Sequence, residues 1–198
     1  MDPFFSPCGV LVLWHFSRMK TNLFKVLPVA ALAFVLGHST GLAQSTPTPK
    51  AGDTAPLVEG KNQDGKTWKL ADDLGKKVVL LYFYPKDDTK GCTKEACGLR
   101  DRMGDLARDN VEVIGVSFDS AASHQAFISK YNLNFPLLAD TDGKIADAYG
   151  VRMTGKSMSK RVSFLIGLDG KIVHVTDNPS ADVHLTEMKD AVAGLAKK

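Results

Sequence analysis

An α/β domain, a sheet held between helical layers, is what this 198-residue chain predicts, and three observations predict it. The run Val78-Val79-Leu80-Leu81-Tyr82-Phe83-Tyr84 is continuously aliphatic or aromatic, as a strand covered on both faces must be. After it, Ala96, Leu99, Met103 and Leu106 recur at intervals of three and four among charges, which is the period of an amphipathic helix from Lys90 to Arg108. A second buried run then extends from Val111 to Ser117. Strand, helix and strand in this order make a right-handed βαβ unit with parallel strands.

The other elements arrange themselves around that unit. Asn62-Gln63-Asp64-Gly65 is a turn between two short, half-exposed strands, near Leu57 to Gly60 and Lys66 to Leu70, with Trp68 packing on the hairpin. Pro85 ends the central strand because it has no N–H to give the ladder. A helix is expected from Ser120 to Tyr131, a short strand near Leu137-Leu138 and a helical turn from Lys144 to Tyr149. Next comes a hairpin, Val162 to Ile166 and Ile172 to Thr176, turning through Leu168-Asp169-Gly170, and a last helix from Asp182 to Ala196. With 44% apolar residues the chain fills one core, and its length calls for no second domain.

The first 43 residues read as a leader. Met19, Lys20 and Lys25 precede an apolar run from Val26 to Leu36, and the small residues of Gly41-Leu42-Ala43 follow, which is the order of a signal peptide cleaved near Ala43 and Gln44. The run is too short to span a membrane, which takes roughly 20 apolar residues. Translation is expected to start at Met19, and Cys8, upstream of it, lacks the context of a lipid-bearing cysteine. Residues 44–51 form a tether, and 52–198 the domain. Setting aside Arg18, Lys20, Lys25 and Asp2 reduces the formal charge from +3 to about +1, which argues against nucleic acid as a partner. An exported chain would work in an oxidising compartment, the periplasm or outside the cell.

Without the leader two cysteines are left, Cys92 and Cys97. A loop of five residues is too small to staple a fold of this size, so chemistry or metal binding explains the pair better. Both lie in the segment that leaves the central strand, where open α/β sheets place their chemistry. With Thr89 as N-cap, Cys92 falls in the first helical turn, where free N–H groups and the positive end of the helix dipole favour an anion such as a thiolate. Lys90 and Lys94 are placed to add to that effect.

Pro85-x-x-x-Thr89-x-x-Cys92 resembles the active-site signature of the peroxiredoxins. The fuller stretch Tyr84-Pro85-Lys86-Asp87-Asp88-Thr89-x-Gly91-Cys92-Thr93-x-Glu95-Ala96-Cys97 resembles their bacterioferritin comigratory protein, or peroxiredoxin Q, branch. The similarity runs from Gly52 onward, through Phe135-Pro136-Leu137-Leu138-Ala139-Asp140 and Arg161-Val162-Ser163-Phe164-Leu165-Ile166. It implies a thioredoxin-like fold, a central mixed β-sheet flanked by helices with an N-terminal β-hairpin extension. It also implies a monomer that reduces hydrogen peroxide and organic hydroperoxides, with a thioredoxin-like protein as reductant and no metal or organic cofactor.

By the same resemblance Cys92 is the peroxidatic cysteine, which becomes a sulfenic acid, and Cys97 the resolving cysteine that closes a disulfide with it. Thr89 is the hydroxyl that binds the peroxide, Arg161 the fixed charge on thiolate and transition state, Pro85 the residue that shapes the pocket, and Glu95 an orienting glutamate. The chain departs from the pattern at Lys90, where relatives carry proline, at Gly167, where aspartate is common, and across Met153 to Lys160, which puts the pocket wall in question. Two other functions compete on this fold. A periplasmic thiol-disulfide oxidoreductase usually carries Cys-x-x-Cys, and a copper-handling protein needs a well-placed histidine. His124, His174 and His184 show no ligand spacing and read as surface or cap residues, and Lys86-Asp87-Asp88 as a solvated loop.

Overall fold

The computed structural model describes residues 46–195, so the leader, its cleavage site and Cys8 lie outside the described residues. A five-stranded sheet organises the domain. At its centre, β3 (Val78–Phe83) is buried at every position. It pairs in parallel with β4 (Val111–Ser117) and antiparallel with β6 (Val162–Ile166), so the sheet is mixed. The crossover from β3 to β4 is α2 (Lys90–Arg108), with the expected ends. On one edge β5 (Leu137–Ala139) pairs in parallel with β4, and on the other β7 (Ile172–Asp177) closes a hairpin with β6. Across the sheet the order is therefore β5-β4-β3-β6-β7.

Side chains alternate across β3 and divide the core in two. Val78, Leu80, Tyr82 and Tyr84 face a layer made by α2, α3 (Ala121–Tyr131) and α5 (Ala181–Leu195). Val79, Leu81 and Phe83 face the opposite layer, with Leu70 of α1 (Leu70–Asp73) and Ile145 and Ala146 of α4 (Lys144–Ala148). The N-terminal hairpin is narrower than expected, β1 (Glu59–Lys61) with β2 (Thr67–Lys69), because Leu70 leaves the strand to open α1 and bury its side chain. That hairpin covers the β5 edge through the Asn62–Leu138 bridge and the hydrogen bond from Leu137 N to Gln63 Oε1, 3.1 Å. Trp68 packs beside it and donates to Asp73 Oδ2 at 2.8 Å. In the segment read as a tether, the Thr48 hydroxyl donates to the Gly150 carbonyl at 2.9 Å.

Candidate active site

The chain leaves β3 at Pro85, runs through Lys86–Thr89 and enters α2, which puts Cys92 in the first turn of a 19-residue helix at the carboxyl end of the central strand. Thr89 occupies the N-cap position with extended backbone, but its side chain makes no cap bond and instead donates to the Lys86 carbonyl at 3.1 Å. The first closed helical bond runs from Thr93 N to Thr89 O, so the N–H groups of Gly91 and Cys92 have no partner within the helix. Cys92 itself is buried, 2% exposed.

Arg161, immediately before β6, brings its charge to that sulfur. Its Nη2 lies 3.2 Å from Cys92 Sγ, its Nη1 bonds Glu95 Oε2, and its Nε donates to the Pro179 carbonyl at 3.1 Å, so three partners fix the planar guanidinium. Burial works against the Arg161 charge, but Glu95 and Cys92 outweigh it and raise its pKa. Burial pushes the Glu95 carboxyl up to about 7 against the pull of Arg161. Gly91 makes the approach possible, since a Cβ there would meet Nη2 at 3.1 Å. Lys94, expected to favour the thiolate, is held 2.6 Å from Asp182 in an exposed ion pair with α5.

Pro85 and Arg161 line one cavity of about 290 Å³, together with Met153, Lys160, Asp177 and Pro179. The segment that departs from the family pattern thus gives the wall two of its residues, Met153 and Lys160. That segment is anchored by the Ser159 hydroxyl, which donates to the Tyr84 carbonyl at 2.9 Å, and by the Arg152–Ser159 bridge. Cys97 stands further along α2, half-buried, and neither sulfur is in a disulfide. Gly98, beside it, lets Leu185 of α5 pack closely, since a Cβ there would lie 2.5 Å from Leu185 Cδ1.

Two readings from the sequence need correction here. Lys86-Asp87-Asp88 is not simply a solvated loop, because Asp87 is 7% exposed and accepts from the Tyr84 hydroxyl and the Ser123 hydroxyl, each at 2.7 Å. His124 is fully buried rather than on the surface, with Nδ1 2.9 Å from Asp87 Oδ2 and Nε2 3.1 Å from the Leu138 carbonyl. Burial alone would raise the Asp87 carboxyl, but bonds from His124, Ser123 and Tyr84 hold it below the usual range. Asp88, at φ +56°, is gripped from the end of α3 by Lys130 at 2.6 Å and the Tyr131 hydroxyl at 2.5 Å. Helix α3 therefore holds the loop before Cys92 from both its buried and its open side. His184 is also buried, on α5, while His174 is half-exposed beside Glu187. The sequence carried one signal for these groups: Tyr82 and Tyr84, two residues apart, had to turn their hydroxyls toward the layer that contains α2.

Among the described residues, no three His, Cys, Asp or Glu side chains come together as metal ligands would. Residues 51–175 match the model of the AhpC/TSA family. The chain is 44% identical over 141 residues to peroxiredoxin Bcp of Escherichia coli K12, covering 68% of this chain and 90% of the relative. The solved structure of peroxidoxin BcpB from Mycobacterium tuberculosis is similar with a TM-score of 0.69 at 34% identity, over 73% of this chain and 97% of that one. A bacterioferritin comigratory protein of Xanthomonas campestris, described for its alkyl peroxide reduction activity, is similar with a TM-score of 0.65 at 27% identity, over 73% and 99% of the two chains.

Proposed function

Since the chain belongs to the AhpC/TSA family, in its Bcp and peroxiredoxin Q branch, and is a thiol-dependent peroxidase, we propose that Cys92 is its peroxidatic and Cys97 its resolving cysteine. The observation that carries this reading is the 3.2 Å contact between Arg161 Nη2 and Cys92 Sγ in a buried site at a helix N-terminus. The Cys92 thiolate attacks one peroxide oxygen, an S–O bond forms as the O–O bond breaks, and the leaving oxygen takes a proton to become water or an alcohol. Arg161 and the free N–H groups of the first turn stabilise the negative charge that spreads over the oxygens. The Thr89 hydroxyl, its proton committed to Lys86, keeps lone pairs for the O–H of the substrate. Pro85, Met153 and Pro179 give the cavity an apolar side, which suits the organic part of a hydroperoxide.

In the second half the Cys97 thiol attacks the sulfenic sulfur, an S–S bond forms and water leaves, and a thioredoxin-type dithiol then reduces the disulfide. Both cysteines sit on one helix, and residues five apart on an α-helix have Cα atoms ~8.6 Å apart, beyond the ~6.8 Å that disulfides span. The first turn and a half of α2 must therefore unwind. What resists is the burial of Cys92, Glu95 and Ala96 with the Arg161 contacts they make, and, more weakly, the exposed Lys94–Asp182 pair and the Leu185 contact at Gly98.

Counting thiols after one equivalent of hydrogen peroxide tests the assignment. The wild type loses two, Cys92→Ser none, and Cys97→Ser one before it stalls, while amide exchange from Cys92 to Gly98 rises in the disulfide form. Normal turnover by Cys97→Ser with a dithiol reductant would remove Cys97 from the resolving role. We also propose that the enzyme is exported, on the order of charged, apolar and small residues from Met19 to Ala43, and that it works as a monomer, on its resemblance to the peroxiredoxin Q branch. Native mass spectrometry of the protein from its own cells reads both, and a chain that retains residues 1–43 would refute cleavage.

A further inference from the structure

Given Cys92 as the attacking thiol, the premise on which any role for its neighbours rests, one buried oxygen in the site is unaccounted for. Glu95 Oε2 accepts from Arg161, but Oε1, equally buried, has no hydrogen-bond partner. An orphan buried acceptor of this kind is costly, and more so if charged. Facing it is His184 of α5, whose Nδ1 stands 3.4 Å from Oε1, both side chains being 1% exposed. The histidine is held from behind, because its Nε2 lies 2.8 Å from the Asn178 carbonyl, an acceptor only, and so carries a hydrogen. Nδ1 is left to choose between Glu95 and the Ser163 hydroxyl, 2.7 Å away, which either donates or accepts.

We propose that His184 is a positioning residue for the peroxide step: with Glu95 it holds one proton between Nδ1 and Oε1, and that proton decides how much of the Arg161 charge is left for Cys92. With the proton on Oε1 the pair is a neutral acid beside a neutral imidazole. Moved to Nδ1, it leaves a carboxylate and an imidazolium, still neutral together. Released to solvent, it leaves one net negative charge against the guanidinium that the Cys92 thiolate needs. Ionisation of Cys92 and loss of the shared proton therefore oppose each other.

The surrounding charges agree with a shared proton. Glu95 is faced by Arg161 and, from β3, by Tyr82, and lies on the same helix as Cys92. Around His184 are Arg161, Asp177 and Glu187. Burial raises Glu95 to about 7, whereas burial lowers His184, Arg161 adding to this and the Asn178 carbonyl opposing it. A carboxyl and an imidazole that usually titrate well apart are brought into competition for one proton.

The test is the rate constant for Cys92 oxidation by hydrogen peroxide, followed from acid to alkaline pH in three proteins. The wild type shows a rise as Cys92 ionises and a fall where the shared proton leaves. His184→Gln keeps an amide toward Asn178 but removes Nδ1, so the falling limb moves to lower pH and the rate at a fixed pH on that limb drops about 3-fold, the equivalent of half a pH unit. Ser163→Ala frees Nδ1 for Glu95 and moves the limb the other way. A limb that stays in place in both active variants overturns the role of His184. Should His184→Gln fail to fold, an unmoved limb in Ser163→Ala does the same. Peroxide consumption by Cys92→Ser would instead bring down the reading of Cys92 itself.

Discussion

The two faces of the central sheet are built from the same strands and differ in almost everything else. Away from α2, Phe83, Phe164 and Tyr149 pack with ring centroids 4.9–5.9 Å apart among aliphatic neighbours, and the buried Asp140 there does no more than accept from Ile145 N and Ala146 N at the start of α4. Toward α2 and α5 the cross-strand row Tyr82, Ser163 and Thr176 lays hydroxyls across β3, β6 and β7, and above it sit Cys92, Glu95, Arg161 and His184. Burying that many polar groups is costly unless each is answered, and at least two, Tyr82 Oη and Glu95 Oε1, are not. The apolar face stabilises the fold enough for the other face to hold a reactive, imperfectly satisfied site.

The sharpest way to break the reactive face is at Arg161. Arg161→Ala removes the one guanidinium on Cys92 Sγ, and losing such a preorganised group typically slows the chemical step about 10²- to 10³-fold. Rapid-mixing measurement of Cys92 oxidation in folded protein checks this, and an unchanged rate constant would take Arg161 out of the site. The apolar face should behave in the opposite way. Leu81→Ala leaves a cavity beside Phe164 and Ile114 and is expected to cost about 2–5 kcal/mol of stability by urea unfolding. Its rate of peroxide reduction in the folded state should remain within about 2-fold of wild type, since the residue points away from α2. A large rate loss in that variant would show that the two faces are coupled.

How far this division could be read from the sequence depends on what sets each element. β3, α2 and β4 were legible because their patterns are long and local, and α2 ends where its periodicity does. Cys92, Arg161, Thr89 and Pro85 are singled out by the resemblance alone, and the structure brings Arg161 to Cys92 and lines one cavity with Pro85 and Arg161. The three-residue strands of the hairpin and the short helix α1 were not, since docking on β5 and burial of Leu70 set their ends. His124 and His184 read as surface or cap residues because nothing within a few positions of them says otherwise. Their partners, Asp87 and Ser163, are 37 and 21 residues away and meet them only once the layers close. The Lys94–Asp182 pair was hidden for the same reason, Asp182 lying on another helix.

The smallest expected effect sharpens the comparison most, because it asks what the buried carboxyl of the reactive face does to stability. Burial raises Glu95 to about 7 in the folded chain, from an ordinary value of 4.5. Between those two values the folded protein keeps a proton that the unfolded chain has given up, so folding is favoured at the acid end and weakens as pH rises through about 7. Stability supplied in this way is complete below about 4.5 and gone above about 7, the reverse of an exposed, salt-bridged carboxylate. Other groups tilt the raw curve, His184 with its lowered pKa in the opposite sense, so the quantity to read is a difference. Glu95→Gln cannot titrate, and it leaves Arg161 without its ion pair at every pH, which lowers stability overall. The stability of the wild type relative to Glu95→Gln, from urea midpoints, should therefore be greatest in acid and shrink by no more than about 3 kcal/mol as pH passes from below 4.5 to above 7. A difference that is flat with pH, or that grows toward alkaline pH, would mean that Glu95 is ionised throughout and that Arg161 is never free to serve Cys92 alone.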